Sequence, residues 1–218
     1  MLCLSQPDIS DMPTTQPPLN DLAHVFSRAF FHDPLFEYFF ADPSQRQALA
    51  FFTFRFLVAH ARHNGQVDTT PQPVDDHNSL NGAAVWLPSS AIEHSVIDML
   101  RFGAVRALFK QGPGAIKRQM VAADAMQAVH HRVLTTPHMY LLLLGIDPSQ
   151  QGRGLSTPLL QPSLDLFDQQ GLPCYLDTHN PNNVSLYQRF GFEVVHEGDI
   201  PGTSVQHWAM LRQCKSRA

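Results

Sequence analysis

The segment Ile146-Asp147-Pro148-Ser149-Gln150-Gln151-Gly152-Arg153-Gly154-Leu155-Ser156-Thr157 places two glycines, a cation and three hydroxyls between a continuous apolar run and a helical pattern. Small residues let the backbone curl, so several amides of the first helical turn point outward without a partner. Together with the helix dipole they favour a phosphate or pyrophosphate, and Arg153 adds a full positive charge. The same residues serve equally as a plain strand-to-helix turn, because short glycine motifs are weak. Two ligands compete for the site. A dinucleotide wants glycine where Thr157 stands and an acid about 20 residues on. Asp177 is near that place, yet only about 60 residues follow Gly154. The other reading is a Gln-x-x-Gly-x-(Gly/Ala) signature, met by Gln151 and Gly154 with Ser156 departing from it.

Other residues could move protons. Tyr187 sits in a helical pattern opened by Asn180-Pro181-Asn182-Asn183, where Asn182 or Asn183 suits an N-cap. Alone, Tyr187 reads as an amphipathic core residue. His138, at the entry of the apolar run, and the acids Asp33 and Glu37 are candidate bases. A histidine with a pKa of about 6.5 can take a proton at neutral pH, and His138 equally fits a polar strand entry. The sequence has 12 histidines, but His60 with His63 and His130 with His131 lack a carboxylate or cysteine at ligand spacing, so no metal is expected. Trp86 reads as core or as a wall facing substrate. Phe30 and Phe31 precede a presumed substrate loop.

The elements that must position these groups follow from periodicity. Residues 1–18 carry four of the 17 prolines and read as a loosely ordered lead. Helices are expected from Asn20, from Ser44 to His63, and over most of 91–132 with a break at Gly112-Pro113-Gly114. Residues 71–81 read as a surface loop. Strands are expected at 82–87, 139–146, 173–177, 192–196 and 204–211, with helices at about 155–170 and 182–190. Pro158 lacks an N–H and should delay or kink the helix after the glycine turn. No repeat or linker divides the 218 residues, so one α/β domain is expected over 1–218. A net charge of −4 and pI near 6.3 argue against nucleic acid or an anionic membrane as partner. No apolar run approaches the roughly 20 residues of a membrane span, and the first residues do not read as a signal peptide. Three scattered cysteines, Cys3, Cys174 and Cys214, fit a reducing cytoplasm.

Three ordered segments then carry a resemblance. They are His138-Met139-Tyr140-Leu141 through Ile146-Asp147-Pro148 to Gln151-Gly152-Arg153-Gly154; Leu172 to Thr178 with Asn180 to Val184, Leu186-Tyr187 and Gly191-Phe192; and Asp33-Pro34 with Ala84 to Pro88. In these the chain resembles the GNAT superfamily of acetyl-CoA-dependent N-acetyltransferases, within it the branch of puromycin N-acetyltransferase, best over 138–212. The resemblance implies a mixed, mostly antiparallel central sheet flanked by helices (an α+β arrangement) with splayed fourth and fifth strands. It implies acetyl-CoA as co-substrate, its pantetheine arm on the backbone of Leu144, Gly145 and Ile146. The pyrophosphate falls to Gly152, Arg153, Gly154, Leu155, Ser156 and Thr157, beside Gln151, with Asn180 and Asn183 as further contacts. Tyr187 takes the place of the acid that protonates the leaving thiolate, His138 is the candidate base, and Asp33 and Trp86 are candidate substrate residues. The implied reaction is direct attack by an amine of a small molecule or peptide, its oxyanion held by backbone donors. A non-catalytic acyl-CoA binding module is the alternative. A homodimer is the one assembly left open.

Overall fold

The computed structural model describes residues 17–70, 80–92 and 96–215. Along the chain run α1 (Leu19–Ala29), α2 (Pro34–Phe39), α3 (Pro43–Asn64), β1 (Gln66–Thr69), β2 (Gly82–Pro88), α4 (Val96–Arg101), α5 (Ala104–Val133), β3 (Met139–Ile146), α6 (Ser156–Gln170), β4 (Cys174–Thr178), α7 (Pro181–Gln188), β5 (Glu193–Asp199) and β6 (Gln206–Arg212). The expected lead and most of the expected 71–81 loop lie outside the described residues.

One sequence device starts several of these elements. In Asp33-Pro34, Asp42-Pro43, Asp147-Pro148 and Asn180-Pro181, the proline stands where a helix's first N–H has no partner anyway. The preceding side chain accepts from the amide two residues on, at Leu35, Ser44, Ser149 and Asn182, over 2.9 to 3.0 Å. Asn180 therefore caps α7, where Asn182 or Asn183 was expected. Likewise α1 begins at Leu19 behind Pro18.

The six strands form one mixed sheet in the order β1-β2-β3-β4-β6-β5. Every neighbouring pair is antiparallel except β3 with β4, which run parallel. One face is covered by α1 and α3, where Phe26, Phe54 and Val58 pack on Val85 and Leu143. The other is covered by α6 and α7, where Leu160, Leu164, Phe167 and Tyr187 pack around Trp86, Leu141 and Leu176. The helix expected over 44–63 is α3, whose buried apolar residues are only Ala50, Phe54, Val58 and Ala61, beside the buried Arg46 and His60; its other phenylalanines are half-buried. The break expected in α5 is present: Gly112 has φ 76°, ahead of Pro113.

Two irregularities in the sheet matter most. First, β3 and β4 pair only at Met139–Cys174, Tyr140–Tyr175 and Leu141–Leu176, after which the strands part. Counted along the described residues, the splayed pair is the third and fourth strand. Second, the β2–β3 register runs Val85–Leu143 and then Trp86–Leu141, so Leu142 is an extra residue on β3. Such a bulge bends its strand and inverts the alternation of side chains beyond it. Met139 and Leu141 face the α6 side, whereas past the bulge Leu144 and Ile146 take that side and Leu143 turns to α1. The bend falls just where β3 leaves β4.

Candidate active site

The parting strands open a cleft of about 570 Å³. Three chain segments meet there: the end of β3 at Leu144, Gly145 and Ile146; the glycine turn at Gln151, Gly152, Gly154, Leu155 and Ser156; and Asn180, Asn183 and Tyr187 of α7 with its cap. Asp33 enters from the α1–α2 turn on the opposite side of the sheet. The sequence candidates that share this cleft thus come from positions up to about 150 residues apart.

The turn has the expected curl. Gly152 and Gly154 adopt φ of 77° and 74°, the left-handed region that other residues enter at a cost. No described hydrogen bond uses the amides of 152–156, whereas the Thr157 amide already donates to the Gly154 carbonyl at 3.2 Å. Arg153 and Thr157 are not among the cleft's lining residues, and Gln151 turns back, its Nε2 donating to the Ile146 carbonyl at 3.1 Å. Pro158 neither delays nor kinks the helix: α6 begins at Ser156. At its third position the missing N–H is one a helix start leaves unpaired in any case. The cradle is accordingly built from Gly152 to Ser156, shorter than the sequence implied by Thr157.

Gly145 explains how β3 keeps its exposed edge so close to α1. A Cβ there would stand 2.7 Å from the Phe26 ring and 3.2 Å from the Ala29 Cβ. The α1 end is tied to the same place by Arg28, whose Nε donates to Asp147 Oδ2 at 2.7 Å.

Residues 116–192 match the family model described as the acetyltransferase (GNAT) family. The chain also superposes on a crystal structure described as histone acetyltransferase HPA2 and related acetyltransferase, from Corynebacterium glutamicum. The TM-score is 0.67 at 19% identity, over 95% of this chain and 97% of that one. The fold is that of the GNAT acetyltransferases. Among curated relatives, an uncharacterized N-acetyltransferase of Schizosaccharomyces pombe is 38% identical over 53 residues, 24% of this chain and 22% of that protein. A mycothiol acetyltransferase of Streptomyces coelicolor is 43% identical over 61 residues, 27% of this chain and 19% of that protein. The matched stretches span about a fifth of the length of these relatives.

On this GNAT-like fold Tyr187 and Asp33 line the same cleft. Tyr187 is buried to 6% exposure, and its hydroxyl makes no hydrogen bond to a described residue. Burial, reinforced by the nearby Asp33 charge, pushes that hydroxyl well above the ordinary tyrosine range. It stays protonated at any physiological pH. Asp33 is half-buried, and Oδ1 accepts from the Leu35 amide. Burial raises its carboxyl to about 6, against the lowering effect of the Leu35 and Phe36 amides. Two ionisable groups of well-separated proton affinity therefore face one cleft.

Besides Arg153 and Thr157, three sequence candidates are not among the lining residues: Glu37, which instead accepts from Arg46 at 2.9 Å, His138 and Trp86. His138 is 3% exposed at the opposite end of β3, its Nδ1 at 2.7 Å from the Thr136 carbonyl and its Nε2 at 2.8 Å from His130. Eight residues of strand separate it from Ile146, roughly 25 Å. Burial also lowers its pKa, but it has no access to the cleft. Trp86 is fully buried edge-on against Phe167, ring centroids 5.1 Å apart, and is core. Asp177, the acid that a dinucleotide ribose would need, has both oxygens occupied by Tyr140, Tyr175 and His207. Conversely, Arg28, Phe30, His32, Leu186 and Arg189 line the cleft. Of these the sequence flagged only Phe30. The one signal for Arg28 was its place in the last turn of α1; its Asp147 partner lies 119 residues on. Among the described residues no cluster of histidines, cysteines and acids could hold a metal. No described helix is long and apolar enough to cross a membrane.

Proposed function

We propose that the chain is an acetyl-CoA-dependent N-acetyltransferase acting on the amine of a small molecule or peptide. The observation that carries this reading is one continuous cleft joining unpartnered amides, an unpaired strand edge and a buried phenol. The residues fit the co-substrate. The amides of 152–156, at a helix start, suit a pyrophosphate. The edge of β3 from Leu142 to Ile146 lacks a β4 partner and suits a peptide-like pantetheine arm by strand augmentation. Asn180 and Asn183 add polar contacts at the same wall. When bound, acetyl-CoA supplies the activated acetyl group.

The chain's own residues then have three tasks. Asp33, ionised above pH 6, accepts the proton that an acceptor ammonium must lose before it can attack. Tyr187 holds a proton at the cleft wall and donates it to the departing sulfur. Free backbone N–H groups at the end of β3 stabilise the charge that develops on the carbonyl oxygen. Asp33 replaces His138 as base because it alone of the two reaches the cleft.

Thiol release over a panel of amines tests the reading directly, beside thermal shift with acetyl-CoA and with NAD. Acetyl-CoA at about 100 times its Kd should stabilise the fold by about 2.7 kcal/mol, whereas NAD should leave it unchanged. Tyr187→Phe should reduce turnover by roughly 100-fold or more while acetyl-CoA still binds. Stabilisation by acetyl-CoA without thiol release on any amine would leave a binding module, the reading favoured by the amide that Thr157 withholds and the N–H that Pro158 lacks. Stabilisation by NAD alone would remove both.

A further inference from the structure

We infer that Tyr140 and Asp177 form a clamp that fixes how far β3 and β4 part, which makes Tyr140 a positioning residue for the acyl carrier. The inference rests on the reading of the cleft as an acetyl-CoA site. Leu141 and Leu176 are the last paired residues of the two strands. Tyr140 and Asp177 lie diagonally across that pair, and the Tyr140 hydroxyl donates to Asp177 Oδ2 at 3.0 Å. The other oxygen, Oδ1, accepts from His207 Nε2 of β6 at 2.5 Å and from the Tyr175 hydroxyl of β4 itself at 2.9 Å. The side chains of Asp177 and His207 are 5% and 3% exposed.

A carboxylate held by three donors in so dry a place has little freedom, and removing a donor leaves it short of partners it cannot recover from water. Its anchors come from three adjacent strands, β3, β4 and β6. The strands cannot part below Leu141 without breaking the Tyr140 bond. Just past it, the extra residue Leu142 turns β3 away. The clamp thus sets where pairing ends and the bulge sets the direction of the opening. A peptide-like arm needs an edge at a defined strand spacing, so the position of this fork bears on the arm before it bears on the phosphate cradle.

The structure supplies a matched control. Tyr175 donates to the same carboxylate over nearly the same distance but from two residues away on the same strand. Its loss removes one hydrogen bond without untying a strand pair. Tyr140→Phe and Tyr175→Phe should therefore be compared in the full chain, by calorimetric titration with acetyl-CoA, by melting temperature, and by hydrogen exchange of the β3 peptide without ligand. Tyr140→Phe should weaken acetyl-CoA about three- to tenfold, the size of one hydrogen bond, and speed exchange in β3. Tyr175→Phe should lower the melting temperature comparably and leave affinity within about twofold. Equal effects of both variants on affinity and exchange, or no effect of either, would overturn the clamp. If the unaltered chain binds no acetyl-CoA, the reading of the cleft fails, and the exchange comparison alone decides the clamp: faster β3 exchange confined to Tyr140→Phe supports it, and equal exchange removes it.

Discussion

At the scale of single residues, the proposed chemistry depends on two protonation states being set apart. Tyr187 is kept neutral by burial and by the Asp33 charge; Asp33 is raised to about 6 by burial. A base with that pKa is ionised at pH 7 and still strong enough to accept a proton. Turnover should therefore fall as pH drops through about 6, and Asp33→Asn should remove that limb of the pH profile along with most of the rate. Asparagine caps a helix as well as aspartate does, so α2 should survive the change. A profile for Asp33→Asn that keeps the acid limb would assign the base elsewhere. Asp33 and Tyr187 could be named from the sequence because each stands in a segment that carries the family resemblance; alone, Tyr187 read as core. The sequence could not rank Asp33 above His138. Only the strand's length reveals that His138 lies at its far end. Trp86 was open for a related reason: a strand's alternation does not say which face is the cleft, and the Leu142 bulge changes the answer part-way along β3.

At the scale of elements, apolar runs and helical periodicity made most of the fold legible, whereas the Asx-Pro helix starts, α2 among them, and close backbone approach were not read. The strand β1 went unread because Gln66-Val67-Asp68-Thr69 is short, polar and half-buried throughout. Gly65 shows what holds it. A glycine that ends a helix commonly takes the left-handed conformation, yet Gly65, which follows α3, is extended, with φ −151°. Its requirement is space: a Cβ would stand 2.1 Å from the Trp86 carbonyl oxygen and 2.9 Å from Leu87. Backbone cannot yield as a side-chain tip does, so β1 would have to move off β2. Gly65→Ala should cost about 3 kcal/mol, at the upper end of overpacking changes, or roughly 6–12 °C in melting temperature for a domain of this size. A loss below about 1 kcal/mol, measured by urea unfolding, would mean that the β1–β2 pair is looser than its register implies.

At the scale of the whole molecule, buried histidines and buried acids oppose one another as pH changes. Burial, outweighing the nearby Asp177, depresses His179 to about 4, and burial lowers His138 as well. The unfolded chain then binds more protons than the native one below pH 6.5, so these histidines cost stability as pH falls from 6.5 towards 4. Asp33, at about 6, and Asp68, also raised by burial, act with the opposite sign. The native chain binds their protons first, and stability is gained as pH falls from about 6 towards their unfolded values. His179 contributes on the order of 2–3 kcal/mol across this window, and the partly exposed Asp33 less, with Asp68 acting in the same direction as Asp33. Their sum nearly cancels, so unfolding free energy should change little between pH 6.5 and 4.5. Lower still, a second group acts alone. Arg212 holds Asp168 below the usual carboxylate range, and Asp147 is held down, against burial, by the Ser149 hydroxyl and Arg28. Their contribution is present above their unfolded pKa and is lost as pH falls through the folded one, so stability should drop steeply below about pH 4. Single variants separate the two halves of the plateau. His179→Gln should become more stable on going from pH 7 to 5, because the acids are then opposed only by the smaller shifts of His138 and His196, and Asp33→Asn should become less stable over the same interval. Urea midpoints at four or five pH values read both slopes, and parallel slopes for the two variants would show that neither group is buried in the protonation state assigned to it.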